Sequence, residues 1–585
     1  MTSHLLAITV GPVQEFIAAA RRTRDLWFGS HLLSEISKAA AKAVQANGGK
    51  LIFPAPANDE DLDRDSPLNV VNVILAELPE ADPAAVAGQV KQAVRSRWRE
   101  FANHVFGAPK NTGIIRTDIW NDQVDDVIEC YAAWHPYTPS TYHADRAALM
   151  RLLASRKRCR DFPHAKGRAG VAKSSLDGLR ESVLRDRKEL PDARRGLRLN
   201  EGEELDVVGL VKRTWQRANE IPHYPSVSRV AADPWLRKVA ESPHFDELVQ
   251  ACRALNRSYG GDVMHELDVS PRGHPHYAGF PFEGTAVFRS RYREFCQEAV
   301  VPDSALEPLR QALGKLTREP DVGDPDPYLG ILVADGDHMG KALSNLKSPD
   351  DHRSFSRALA QFAAEARQIV NAHNGVLVYA GGDDVLAFVP IDHSLACARK
   401  LHDTFSEILA DWAAKIGIAL SLSVGLAIAH FMEPLEDLRS YAREAEQHAK
   451  HPGPEDGGES RNGLAVHLVK RGGGKLAVRA NWSEDLDKRL ADMAGWIKDR
   501  AISGRVAYDL HKIADQYDSW PVGTAKDAIR RDTLSVMAGK EPRGESQMGK
   551  ISDLVQGRVT GAESLRGLAN ELLIAKAIAA NENAP

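Results

Sequence analysis

Gly381, Gly382, Asp383 and Asp384 interrupt the otherwise apolar run VLVYAGGDDVLAFV at residues 376–389. Upstream, Asp335-Gly336-Asp337 follows a second apolar run, LGILVA, at 329–334. Two carboxylates in a turn and a third at the end of a neighbouring strand form a hard-oxygen donor set. Such a set suits Mg²⁺ or Mn²⁺, and two ions about 4 Å apart can clamp the attacking and leaving oxygens of a phosphoryl transfer. Without a cation, gathering Asp335, Asp383 and Asp384 would cost roughly several kcal/mol in repulsion and desolvation.

The flanking residues fit the same chemistry. Gly381 and Gly382 permit positive φ and leave no Cβ in the path of a nucleotide. Gly336, Asp337, His338, Met339, Gly340 and Lys341 would form a matching cradle, since free backbone N–H groups at a helix start favour phosphate. Lys341 and Lys450 can add positive charge. The reaction implied is attack of a ribose 3′-hydroxyl on the α-phosphorus of a nucleoside triphosphate, with pyrophosphate leaving.

An isolated G-G-D-D also reads as a solvent-exposed β-turn. Asp335-Gly336-Asp337 at a strand end, with helix and hairpin following in order, weighs against that reading. Two other constellations are weaker. His402-Asp403 lies in a helical stretch with no partner histidines in register and reads as a solvated pair. His274-Pro275-His276 is a loop pair without cysteine or carboxylate support for a metal.

The elements that must position the acids follow from periodicity. LGILVA predicts a strand, and Phe355, Leu359, Phe362, Ala366 and Ile369 recur at helical spacing until Asn374-Gly375 stops the helix. VLVYA and VLAFVP then flank the Gly-Gly-Asp-Asp as a hairpin. A helix near 393–415 and a strand at 419–429 complete a βαββαβ order, the layout of a ferredoxin-like palm. The N-terminus repeats it: LLAITV, a helix carrying Leu33, Ile36, Ala40 and Val44, Asn47-Gly48-Gly49, then KLIFPA. In that copy Gly11 stands where the later one has Asp335, and Pro54-Ala55-Pro56 stands where it has the Gly-Gly-Asp-Asp. The first copy keeps the scaffold without the carboxylates.

The fold class expected is therefore α+β. A degenerate palm covers 1–125, a mostly helical inter-palm domain 126–320, the G-G-D-D palm 321–478 and a helical C-terminal domain 479–585. The 585 residues exceed a single core, and 43% hydrophobic with 26% charged content excludes wholesale disorder. A net charge of −5 makes any nucleic-acid surface local. The basic segment 151–173 is one place for it, as a solvated helix face or a phosphate-contacting patch. The polar stretches 451–463 and 471–475 read as loops. Cys130, Cys159, Cys252, Cys296 and Cys397 form no C-x-x-C pair, which argues against disulfides and zinc and favours a reducing cytoplasm. The N-terminus reads as a strand and not a signal peptide, and no run suits a membrane span.

GPVQEFI (11–17), ARRTRDLWFGSHLLS (20–34), DGDHMGK (335–341) and YAGGDD (379–384) together resemble the large subunit of type III-B CRISPR effector complexes, the Cmr module. LDVVGLVKR (205–213) and YPSVSRVA (224–231) extend the similarity over most of the chain. The resemblance implies a cytoplasmic antiviral subunit that, on recognition of target RNA, converts ATP to cyclic oligoadenylates. Asp335, Asp383 and Asp384 would hold Mg²⁺ or Mn²⁺, and Gly336 to Lys341, Gly381, Gly382, Ser423 and Lys450 would surround ATP. Implied partners are crRNA, target RNA and other Cmr-type subunits, including the one at the crRNA 5′ handle and the small helical subunit. Members with an HD nuclease domain carry it N-terminally, whereas this sequence starts at the first palm, so no DNA cleavage is expected. Some members have a Cys-rich zinc element between the palms; the scattered cysteines do not supply one. The second palm is also similar to the GGDEF nucleotidyl cyclases, with Val385 in place of their phenylalanine. A diguanylate cyclase and a catalytically silent RNA and protein scaffold are the alternatives.

Overall fold

Two β-sheets organise the chain in the computed structural model, which describes residues 3–108, 111, 113–159, 167–186, 199, 202–215, 224–259, 263–270, 273–451, 460–520, 525–538 and 545–580. The first is built from β1 (His4–Gly11), β2 (Lys50–Phe53), β3 (Val73–Leu78) and β4 (Glu129–Pro136), in the order β2-β3-β1-β4. Helices α1 (Thr23–Ala46) and α2 (Pro83–Phe106) cover one face, burying Leu33, Ile36, Ala40 and Val44 with Val90, Val94 and Phe101. Helix α1 ends where Gly48 takes φ +81°, a left-handed stop that glycine adopts freely. Helix α3 (Tyr142–Arg158) packs on the opposite face through Tyr142, Leu149 and Leu153.

The inter-palm residues that follow carry helices α4 (Val207–Thr214), α5 (Val227–Val239), α6 (Phe245–Tyr259) and α7 (Glu307–Leu316) between extended and turn segments. The second sheet comprises β5 (Tyr328–Gly336), β6 (Val376–Gly381), β7 (Asp384–Val389), β8 (Leu422–His430), β9 (Gly463–Val469) and β10 (Lys475–Asn481). Its order is β10-β9-β8-β5-β7-β6. Helices α8 (Met339–Asn345) and α9 (Pro349–Ala372) join β5 to β6, α10 (Ser394–Ile416) joins β7 to β8, and α11 (Leu435–Lys450) joins β8 to β9. The β6-β7-β5-β8 part repeats β2-β3-β1-β4, so the repeat seen in the sequence is present in strand order.

Alternation along β5 shows why this sheet is buried on both sides. Leu332 and Ala334 join a core with α9, α10 and the C-terminal helices, whereas Leu329 and Ile331 face the inter-palm helices. The C-terminal helices α12 (Leu486–Lys498), α13 (Val506–Tyr517), α14 (Lys526–Ala538), α15 (Glu545–Arg558) and α16 (Ala562–Ala580) share the first of these cores, with Leu490, Leu510 and Leu572 fully or almost fully buried in it. Among the described residues, no helix is long and apolar enough to cross a membrane.

Several sequence expectations shift. The first sheet takes its fourth strand from 129–136, so it extends past residue 125, and β10 runs through Asn481, past 478. The strand expected at 419–429 spans Leu422–His430. Pro54-Ala55-Pro56 opens a long connection over 54–72 instead of a tight turn. The segment 471–475 lies at the β9–β10 turn, while most of the loop at 451–463 lies outside the described residues.

Candidate metal centre

Antiparallel pairing brings the acids together. β5 lies between β7 and β8, with Ala334 opposite Val385 and Asp335 opposite Ser423. Gly381 pairs with Asp384, so Gly382 and Asp383 form a two-residue turn, and Gly382 adopts φ +79°. The result is that carboxylate oxygens of Asp335, Asp383 and Asp384 all lie within 4.8 Å of one another. Gly336 explains how Asp383 reaches the strand end: a Cβ there would sit 2.8 Å from Asp383 Cβ. Gly336 thus makes room for a carboxylate as well as opening the expected cradle. Gly381 has neither a positive φ nor a crowded Cβ position, a Cβ there meeting only Val71 at 3.7 Å.

Electrostatics at this cluster are those of an unneutralised acid group. Burial, then the Asp384 charge, pushes the Asp383 carboxyl up to about 7. Asp384 is raised as well, by desolvation, with Arg443 opposing. Helix α11 supplies the counter-charge. The Lys450 ammonium contacts Asp335 and lies 2.8 Å from Glu446, one turn earlier. Desolvation, then Arg461, brings Lys450 down to about 8, while burial, then Asp384, pushes Glu446 up to about 7. The helix comes this close because of Gly425 on β8, where a Cβ would be 2.0 Å from the Glu446 nitrogen. An all-oxygen donor set of three carboxylates fits a hard divalent ion.

Two expected nucleotide contacts lie elsewhere. Asp337 is fully buried and accepts from Ser421 Oγ at 2.7 Å, from Ser423 Oγ at 2.9 Å and from the Asn462 N–H at 2.9 Å, with Arg461 at 3.5 Å. Ser423 is equally buried and its hydroxyl is spent on Asp337. Both residues brace the loop after β5 against β8 and residues 461–462 and present no free surface to a ligand. His338 takes φ +61° at the start of α8, and burial, then Arg461 and Lys341, hold its imidazole below the usual value. Met339 is buried, whereas Gly340 and Lys341 are exposed.

Glu446, Arg443, Arg461 and Asn462 were not anticipated. The spacing of Arg443, Glu446 and Lys450, three and then four residues along α11, is the signal that points them to one side. A cavity of about 200 Å³ adjoins the turn, lined by Leu359, Ala360, Ala363, Arg367 and Gly382 and, from the first palm, Asn69.

The remaining constellations have structural partners. His402 bonds Asp403 and Asn462 at 2.9 and 3.1 Å and stacks on Trp482. His274 and His276 are depressed by burial to about 3 and about 4 and stay neutral beside Tyr277. A second group, His31, Glu35 and Asp65, has metal-compatible spacing, but Glu35 is already held by Arg97 at 2.6 Å and Lys38 at 2.8 Å. In the basic segment, Arg168 is paired with Asp118, Asp122 and Glu181, and Arg156 lies over Tyr131. Arg151, Lys157, Arg158 and Lys173 are exposed, and Arg160 and Lys166 lie outside the described residues.

Comparison with known proteins agrees with this architecture. Residues 328–460 match the family model for the Cas10/Cmr2 second palm domain, and residues 5–103 match that for the N-terminal part of CRISPR-associated protein Cmr2. The chain is 24% identical to the CRISPR system Cmr subunit Cmr2 of Pyrococcus furiosus, over 96% of this chain and 73% of that protein. It is 27% identical to the Cmr2 subunit of Saccharolobus solfataricus over 22% of this chain and 13% of that protein. Among solved structures, it is similar in fold to a chain of the type III-B Cmr-beta complex bound to cognate target RNA, with TM-score 0.64 and 14% identity, covering 93% of this chain and 80% of that one. The apo state of that complex matches with TM-score 0.63 and the same identity, over 93% of this chain and 78% of that one.

Proposed function

Because the chain belongs to the Cas10/Cmr2 family of type III-B CRISPR large subunits, we propose that it is a target-RNA-activated synthetase of cyclic oligoadenylates, working inside an effector complex with crRNA and other Cmr-type subunits. The observation that carries this reading is the convergence of Asp335, Asp383 and Asp384 within 4.8 Å at the end of a palm sheet. A Cmr-beta complex of the same fold has been solved bound to cognate target RNA, which supports the assembly part of the reading.

On this reading the three carboxylates hold Mg²⁺ or Mn²⁺, and the metal supplies charge neutralisation for attack on the α-phosphate. Lys450 exchanges Asp335 for the triphosphate. We assign the adenine to the cavity beside Gly382, whose apolar wall of Leu359, Ala360 and Ala363 suits a flat base. Asp337 and Ser423 keep the loop after β5 in place.

The test is reconstitution with guide RNA, matched target RNA, ATP and Mg²⁺, followed by chromatography and mass analysis of the products. Cyclic oligoadenylates are expected, and their loss in an Asp383→Ala/Asp384→Ala double variant. No product, or equal product from the variant, overturns the reading and leaves a scaffold. Cyclic dinucleotide from GTP instead would mark a diguanylate cyclase.

A further inference from the structure

β6 is the edge strand that leads into the Gly382-Asp383 turn, and an edge strand carries outward carbonyls that need partners. Two of them, at Leu377 and Ala380, and the carbonyl of Asn374 in the turn just before the strand, are met by side chains from other parts of the chain. The Tyr277 hydroxyl donates to Asn374 O at 2.9 Å, the Tyr224 hydroxyl to Leu377 O at 2.6 Å and the Asn69 amide to Ala380 O at 3.1 Å. Carbonyls three apart on a regular strand face opposite ways; the register shift between Leu377 and Tyr379 turns Leu377 and Ala380 to the same side.

The rung nearest the turn comes from the first palm. Asn69 lies in the 54–72 connection, which replaces the tight acidic turn of the second copy, and Val71 of the same connection faces Gly381. The Tyr224 rung also leads back there, since its ring stacks on Trp27 of α1 at 5.2 Å. The copy that lacks the acids therefore grips the strand that leads into their turn, one residue before the Gly381-Gly382 pair.

We propose that Asn69 is a positioning residue for the metal carboxylates: by fixing the Ala380 carbonyl it sets the Gly382-Asp383 turn where Asp383 and Asp384 converge on Asp335. The inference rests on reading those carboxylates as a metal centre. It is tested on the full chain, without nucleotide, by titrating Mn²⁺ and following the free-ion EPR signal alongside thermal unfolding. Asn69→Ala and the similarly sized Asn69→Leu should weaken Mn²⁺ binding roughly tenfold, the scale of losses when an outer partner of a metal ligand is removed. Their unfolding temperatures should stay within about 2–4 °C of wild type. Tyr277→Phe, which removes the rung farthest from the turn, should leave Mn²⁺ affinity unchanged. Wild-type affinity in both Asn69 variants, or an equal loss in Tyr277→Phe, overturns the positioning role. No Mn²⁺ binding by the wild-type chain removes the metal reading and this inference with it.

Discussion

The ammonium of Lys450 rests on the carboxylate of Asp335, while Glu446 holds its other side at 2.8 Å. A protein cation therefore stands where a divalent ion would gain its third carboxylate. Lys450→Gln should bind Mn²⁺ about fivefold more tightly in the absence of nucleotide, a change of about 1 kcal/mol for a partly solvated ion pair. The same variant should lose affinity for a triphosphate. Mn²⁺ titrations with and without a non-hydrolysable ATP analogue measure both effects; a weaker Mn²⁺ affinity without nucleotide contradicts the competition.

Asp383 predicts a pH dependence. Its folded pKa, about 7, is above its ordinary value, so the carboxyl keeps its proton in the folded, metal-free chain until the pH rises through about 7. Metal needs the ionised form, so Mn²⁺ affinity should climb as pH rises from 6 to 8 and then level off. The associated stability is fully present below the ordinary carboxylate value of 3.8 and is lost as pH rises from there through about 7. Asp383→Asn removes that loss. With chelator present, the variant should unfold roughly 2–4 °C above wild type at pH 8, by a smaller margin at pH 5 and at the same temperature below about pH 4, by scanning calorimetry.

Asp337 and Asp384 should separate cleanly by stability. Asp337→Ala leaves the Ser421 and Ser423 hydroxyls and the Asn462 N–H without their acceptor, at a cost of about 2–4 kcal/mol. Asp384→Asn, at the exposed end of the turn, should change stability by less than about 1 kcal/mol while abolishing synthesis. Urea unfolding read beside product formation distinguishes a bracing aspartate from a reacting-site one.

Gly425 sets the distance of α11 from the sheet. Gly425→Val would drive side-chain atoms into the backbone at Ala445 and Glu446, at about 3 kcal/mol or more. Since Lys450 rides on the same helix, the variant should also lose the preference that Lys450 gives for triphosphate, which an ATP-analogue titration reads.

Asp335, Asp383 and Asp384 were legible in the sequence because each sits at the end of a strongly apolar strand, where period and turn chemistry leave few placements. The repeat was legible for the same reason, and both sheets share its strand order. Ser423 came to the expected ATP site through the family resemblance alone; only the fold shows that its hydroxyl bonds the buried Asp337. Arg461 and Asn69 reach the site from the segment before β9 and the other palm, and such long-range convergence has no local periodicity to betray it. Pro54-Ala55-Pro56 marked the place of a missing turn but gave no hint that the replacement would cross to its neighbour.

The two palms meet where Arg353 of α9 donates to Leu51 O on β2 at 2.8 Å and pairs with Glu77 on β3. Because one polypeptide carries both halves, their encounter is unimolecular. Palms on separate chains would part on dilution, whereas tethering supplies an effective concentration that no change in cellular copy number can lower. The grip of the acid-free half on the acid-bearing one is thereby a constant of each molecule and not a function of how many molecules are present.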